Sequence, residues 1–196
     1  SILITIFLYL FSTFLGIISF VLTVWVYYFF RDPERYSINN DNFLVSPADG
    51  LITDISERSG PEELRLENTS FTRISVFMNV FNCHVNRVPA SGKIEEIFYK
   101  PGKFLNASLD KASEENERNY YKIKLSNGED IIIVQIAGLI ARRIVCETEQ
   151  GQELKQGERI GMIRFGSRVD VYFKNKKVLA KLGQNVVAGE SLLASE

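Results

Sequence analysis

The chain has 196 residues, 45% of them apolar, with 23 basic against 24 acidic side chains and a net charge of −1. That length fits one compact domain plus an appendage, and the balanced charge with no basic stripe argues against a nucleic-acid partner. A single histidine, His84, rules out a multi-histidine metal site within one chain, and Cys83 and Cys146 form no CxxC pair, so free thiols in a reducing compartment are expected.

Ser1 in place of a methionine is the start expected of a processed chain or a fragment. No residue from Ile2 to Phe30 is charged. A spanning helix needs about 20 apolar residues, so residues 1–30 are expected to be a transmembrane or otherwise membrane-embedded helix. The run exceeds the ~7–15 residues of a signal-peptide core. Trp25, Tyr27 and Tyr28 at its end suit an interfacial aromatic belt, and Arg31 and Arg35 favour a body on the cytoplasmic side of the cell membrane. Gly16 leaves a second arrangement open, a tight helical hairpin that dips in and returns. Asp32-Pro33 ends the helical pattern, because proline disfavours helical geometry in the residue before it, and residues 31–42 read as a linker.

Residues 43–196 are expected to be a mainly β domain. Phe43-Leu44-Val45 and Leu51-Ile52-Thr53 flank the turn Pro47-Ala48-Asp49-Gly50. Arg73 to Met78, Ile94 to Tyr99, Ile140 to Cys146, Arg159 to Phe165 and Val169 to Phe173 are β-branched, aromatic or alternating. Tyr120 to Leu125 and Ile131 to Ile136 straddle Asn127-Gly128, a hairpin signal. Leu105 to Asn116 is polar, a short helix or a lid. An internal echo pairs Leu154-Lys155-Gln156-Gly157-Glu158 with Val186-Val187-Ala188-Gly189-Glu190. Such echoes resemble barrel-sandwich hybrid domains, whose carrier members need an exposed lysine at a hairpin tip; Lys174, Lys176 and Lys177 lie near the turn at Asn175.

Between two strand-like runs stands Phe165-Gly166-Ser167-Arg168. Taken alone, a Gly-Ser pair is an ordinary turn. Glycine nevertheless permits unusual backbone angles and close approach to its carbonyl, and the next residue supplies a hydroxyl one peptide unit away. Such a chain can attack itself, turn the amide into an ester and break there.

Three islands stand in a fixed order: Ser46-Pro47-Ala48-Asp49-Gly50, then Asn82-Cys83-His84-Val85-Asn86-Arg87-Val88-Pro89-Ala90-Ser91-Gly92, then Phe165-Gly166-Ser167. With Arg31-Asp32-Pro33-Glu34-Arg35 and Tyr99-Lys100-Pro101-Gly102-Lys103-Phe104, this combination resembles the short form of phosphatidylserine decarboxylase over nearly the whole chain. The resemblance implies a self-cleaving proenzyme. The Gly166–Ser167 bond would be cut into a β chain, 1–166, and an α chain, 167–196, which stay together as a heterodimer. Ser167 would become a covalent pyruvoyl cofactor. That ketone would form a Schiff base with phosphatidylserine and release carbon dioxide, leaving phosphatidylethanolamine. Pyridoxal phosphate is the other electron sink for such chemistry, but no glycine-rich phosphate loop opens a helix here.

Serine needs a base, histidine is the usual one, and a carboxylate commonly orients it. Asp49, His84 and Ser167 are therefore the expected catalytic set, with His84 serving self-cleavage, decarboxylation or both. Longer family members resemble a pattern with a second histidine three residues on and a Leu-Gly-Ser-Thr cleavage site. This chain has Arg87 and Phe-Gly-Ser-Arg there. A guanidinium stays protonated and cannot be a general base, so Arg87 is expected to bind the substrate carboxylate or phosphate, or to stabilise an oxyanion. Arg142 and Arg143 could face an anionic headgroup, and Phe104 and Leu105 could touch lipid. No metal is expected. The implied partners are a phospholipid substrate, the membrane and the two fragments of the chain itself, and exposed strand edges favour a further homodimer. The competing reading is a non-enzymatic, membrane-tethered barrel-sandwich adaptor or carrier. A metallopeptidase of similar β fold is excluded by the single histidine.

Overall fold

A computed structural model describes residues 2–105, 115–139, 143–164 and 166–196. It divides into two units, residues 1–33 and 34–196.

The first unit is a helical hairpin. Helices α1 (Ile2–Phe11) and α2 (Thr13–Phe29) are separated by Ser12, whose backbone is extended (φ −159°, ψ 125°). Gly16 lets them approach: a Cβ there would lie 2.7 Å from Tyr9 atoms. Thr5 Oγ1 bridges across at 3.0 Å from Ser19 Oγ and 3.2 Å from Thr23 Oγ1, giving three hydroxyls partners between two largely apolar helices. The uninterrupted spanning helix expected from composition is therefore replaced by the hairpin that Gly16 left open. Among the described residues no helix is long and apolar enough to cross a membrane. The 17 residues of α2 reach only about 25 Å at 1.5 Å each.

The second unit is mainly β. Its strands are β1 (Phe43–Val45), β2 (Gly50–Ser59), β3 (Ser70–Met78), β4 (Val85–Arg87), β5 (Gly92–Lys100), β6 (Arg118–Leu125), β7 (Asp130–Ala137), β8 (Ile144–Cys146), β9 (Glu153–Leu154), β10 (Arg159–Ile163), β11 (Ser167–Phe173), β12 (Lys177–Val178), β13 (Asn185–Val186) and β14 (Leu192–Ser195). An eight-stranded sheet runs β13-β2-β3-β11-β7-β6-β5-β9, and two three-stranded sheets run β1-β14-β12 and β4-β10-β8. The Asn127-Gly128 signal closes the β6–β7 hairpin, with Gly128 at φ +85°. Most of the segment expected as a helix or lid, 106–114, lies outside the described residues, as does the start of the expected run from Ile140.

Strand alternation gives the large sheet two faces. Along β11, Val169, Val171 and Phe173 join the main core with Ile74, Val76, Tyr121, Ile133 and Leu193. Tyr172, on the other face, packs on a second cluster of Phe71, Tyr120, Ile132, Val134 and Ile136.

The internal echo is structural. Leu154 pairs with Gly92 at the start of β5, and Val186 pairs with Gly50 at the start of β2. Three residues after each, Gly157 and Gly189 take φ of +83° and +76°. Their N–H groups donate to Val88 O and Ser46 O, each immediately before a Pro-Ala pair, Pro89-Ala90 and Pro47-Ala48. The linker from Glu34 lies against this pair of turns: Ser37 Oγ donates to Gly189 O, and Asn40 N–H donates to Gln156 Oε1.

Residues 167–196 are interleaved with the rest. β11 is bonded on both sides, by β3 and β7, and β13 and β14 pair with β2 and β1.

Candidate active site

Gly166 sits where β11 begins, at φ +58°. A side chain would meet nothing within 4 Å, so the demand for glycine is one of backbone angle: an L residue there costs roughly 1–2 kcal/mol. The next residue, Ser167, opens β11 and pairs with Met78 on one side and Ala137 on the other. It is fully buried, and its Oγ finds no hydrogen-bond partner among the described residues. An orphaned buried hydroxyl costs about 1–3 kcal/mol, and such an exception calls for an explanation in function.

The explanation lies beside it. His84, also fully buried, has its Nε2 3.2 Å from the Gly166 nitrogen and its Nδ1 3.0 Å from the carbonyl oxygen of Asn82. A carbonyl cannot donate, so Nδ1 carries the proton and Nε2 presents its lone pair to the Gly166 N–H. The ring is thus held in the tautomer of a base, aimed at the residue whose carbonyl joins Ser167. The backbone of His84 is tied to the same region, since its carbonyl accepts from Ile163 N–H in β10 at 3.3 Å.

Asp49 is not part of this pair. Its Oδ2 accepts from Arg35 at 2.8 Å and its Oδ1 accepts from the Ala188 N–H at 2.8 Å. The expected carboxylate–imidazole contact is replaced by a clamp on the linker and on the turn before β14, and the Asn82 carbonyl orients the imidazole instead. Arg87, at the far end of β4, is buried and donates to the Gly157 carbonyl at 2.9 Å. It lines a cavity of about 440 Å³ with Arg35, Lys155 and Arg159. That cavity's lining contains neither His84 nor Ser167. The structure therefore brings Gly166, Ser167 and His84 together, and Arg35, Asp49 and Arg87 mark a second cluster around the paired glycine turns.

Arg168, the departure from the longer cleavage motif, points away from the site. It lies on the face opposite Ser167 and contacts Asp170, with Nε 2.9 Å from Oδ1 and a second nitrogen 3.0 Å from Oδ2. Asp170 also lies 3.9 Å from Arg73, which bonds Asp54 at 2.8 Å. Burial, and after it the charge of Asp170, pushes the Tyr172 phenol up to about 12. Phe165 and Arg142 lie outside the described residues. Phe104, expected at lipid, packs partly buried against the main core.

Of the lysines near the turn at Asn175, Lys176 is buried and meets Glu196 at 3.1 Å, which does not suit an exposed attachment point, whereas Lys174 is half-buried and Lys177 exposed. No group of three or more His, Cys, Asp or Glu side chains suited to a metal stands among the described residues.

Behind the site runs a buried polar chain that sequence patterning missed. Gln135 donates to Asn86 Oδ1 at 2.8 Å, and the Tyr121 hydroxyl lies 2.9 Å from Gln135 Oε1 and 3.0 Å from the Ile160 carbonyl. Asn86 Nδ2 is 3.6 Å from the sulfur of Met78, the residue paired with Ser167. The single readable signal was Gln135, a lone amide within an apolar strand.

A family model described as phosphatidylserine decarboxylase matches residues 22–194. Among curated proteins, a phosphatidylserine decarboxylase proenzyme of Pelagibacter ubique is 68% identical over all of this chain and 91% of its own length. One of Ruegeria pomeroyi is 54% identical over 97% of this chain and 88% of its own length. One of Rickettsia akari is 53% identical over 92% and 78%.

Proposed function

This chain belongs to the phosphatidylserine decarboxylase family and decarboxylates phosphatidylserine to phosphatidylethanolamine; we propose that it does so with a pyruvoyl group made from its own Ser167. The observation that carries the proposal is the buried Ser167 Oγ, without a hydrogen-bond partner among the described residues, next to a histidine whose lone pair already faces Gly166. Proenzyme, in the names of the relatives, is consistent with a chain that must be processed.

The chain's own residues supply the steps. His84 Nε2 exchanges the Gly166 N–H for the Ser167 hydroxyl and takes its proton as Oγ attacks the Gly166 carbonyl carbon. The C–N bond breaks as His84 passes that proton to the nitrogen of residue 167, which becomes an amine, and Gly166 is held as an ester on Oγ. Loss of the Ser167 Cα proton then expels Gly166 as a carboxylate and cuts the chain. The enamine left behind takes up water and releases ammonia, leaving a ketone. That ketone supplies the electron sink for the carbanion formed when carbon dioxide departs. His84 Nε2, protonated from solvent, would donate the proton that this carbon takes up. The pairing of β11 with β3 and β7 and of β14 with β1 supports a 1–166 and 167–196 heterodimer that survives the cut.

We retain a substrate-binding role for Arg87, because its cavity, shared with Arg35, Lys155 and Arg159, is a basic setting for a phosphate or carboxylate. Asp49 acts in this reading as the clamp for Arg35 and Ala188. The barrel-sandwich likeness of the β body is supported by the matched turns at Gly157 and Gly189. A membrane location is supported by the hairpin, whose side chains, such as Leu3, Leu10 and Phe11, are exposed. Arg31 and Arg35 support a cytoplasmic body. A homodimer would use the outer edge of β2 beyond Ile52, where no strand among the described residues pairs.

Intact-mass measurement of purified, active protein tests the proposal. Two pieces divided between Gly166 and Ser167, the smaller one blocked to Edman degradation, are expected. One unbroken, fully active chain would refute it.

A further inference from the structure

The sheet register places a set of unlike side chains at the mouth of the site. β3 ends at Met78 and β7 ends at Ala137, and these two residues flank Ser167 in the sheet. The two strands leave that end about 10 Å apart, two strand spacings. Just beyond them stand Phe81, 63% exposed, and Leu139, 67% exposed. These are large apolar side chains in water at the tips of segments whose strands are otherwise buried. Arg143 and Arg164 are exposed too, and the Arg164 N–H donates to the Arg143 carbonyl at 3.2 Å, so their backbones run side by side. Arg164 is two residues before Gly166. One end of the sheet thus combines two exposed hydrophobes, two exposed cations and the cleavage turn.

We propose that Phe81, Leu139, Arg143 and Arg164 form a rim that seats the Ser167 end of the sheet on an anionic lipid bilayer. Phe81 and Leu139 enter below the headgroups, and the arginines lie among phosphates and carboxylates. The proposal rests on the decarboxylase reading. The substrate's acyl chains belong in the bilayer, and Ser167 is fully buried, so its mouth must meet the headgroup layer for the serine moiety to arrive. Charge complementarity selects the occupant: phosphatidylserine carries a phosphate and a carboxylate against one ammonium, and arginine pairs bidentately with both anions. Exposed apolar residues rimmed by cations suit an interface with lipid.

Two measurements test it with the full chain. In a Trp25→Phe background, which removes the only other indole, Phe81→Trp should give emission that shifts blue and is quenched on vesicles of phosphatidylserine and phosphatidylcholine with brominated acyl chains. The hairpin can carry the protein to the vesicle by itself, so attachment is no readout; emission equal on brominated and plain vesicles overturns the rim. Second, the Phe81→Ser, Leu139→Ser pair should cleave itself as the parent does. It should turn over dihexanoyl phosphatidylserine, dissolved as monomers, within twofold of the parent, and lose at least tenfold on vesicle phosphatidylserine. Equal rates on vesicles, or equal losses on both substrates, overturn the rim. A parent protein inactive on both substrates refutes the decarboxylase reading instead.

Discussion

His84 Nε2 lies 3.2 Å from the backbone nitrogen of Gly166, across 82 residues of chain. The opposite ring nitrogen is fixed on Asn82 O at 3.0 Å, so the ring cannot turn its lone pair elsewhere without losing a bond at each end. His84→Gln keeps an amide able to bond both partners but removes the base. Self-cleavage, followed on a denaturing gel from newly made chain, should slow by roughly 10²–10⁴-fold, the usual span for a general base. Cleavage at the parent rate would remove His84 from the step.

Ser167→Ala separates chemistry from stability. The variant should stay as one chain and show no decarboxylation. It also deletes a buried hydroxyl that has no partner among the described residues, and replacing such a group by a methyl is neutral or favourable. Its melting temperature should equal or exceed that of an uncut His84→Gln chain. A clear loss of stability would mean that the hydroxyl is bonded in solution.

Arg35 and Asp49 act on each other at 2.8 Å with their side chains mostly covered. Arg35→Ala should cost about 2 kcal/mol, the scale of a charged hydrogen bond; Asp49→Ala should cost more, because it also strands the Ala188 N–H, and the double variant should cost little more than Asp49→Ala alone. Limited proteolysis near residues 34–42 should speed up equally in both. A cleavage or decarboxylation defect in Asp49→Ala that Arg35→Ala does not share would restore Asp49 to the catalytic set.

Acid should destabilise the body through its ion pairs. Burial opposes the charge on Asp54, but bonds from Ser56 and Arg73 outweigh it and hold the carboxyl below its ordinary 3.8. Burial likewise opposes the charge on Glu63, and Lys100 with other partners holds it below 4.5. A folded-state value below the unfolded one binds fewer protons, so the stabilisation is complete above about pH 4.5 and is lost as pH falls through the depressed values. Melting temperature should drop between roughly pH 4.5 and 3. Asp54→Asn should flatten part of that slope; an unchanged slope would show that Asp54 does not contribute.

The β body was legible because alternation is a local property. Tyr120–Leu125 and Ile131–Ile136 each write their two faces into consecutive residues, and Asn127-Gly128 fixes the turn between them. The same rule explains why Arg168, adjacent to Ser167 in sequence, is remote from the site: neighbours in a strand face opposite ways. Asp49 shows the limit. An Asp-Gly turn with a nearby arginine motif does not say which cation or N–H reaches the carboxylate, and its second partner, Ala188, is 139 residues away. The Pro47-Ala48 and Pro89-Ala90 pairs went unmatched in sequence because their equivalence lies in which glycine N–H each neighbouring carbonyl accepts.

By itself the sequence determined the strand-rich body, the Gly166–Ser167 turn and a single candidate base, since periodicity, turn chemistry and a lone histidine need no partner to be read. Tertiary structure alone decided that Asn82 rather than Asp49 orients His84, that the apolar N-terminus folds back at Ser12, and that Met78 and Ala137 flank Ser167. Those outcomes depend on packing between segments far apart along the chain. There, burial forces each polar group to choose a partner, and local pattern carries no record of the choice.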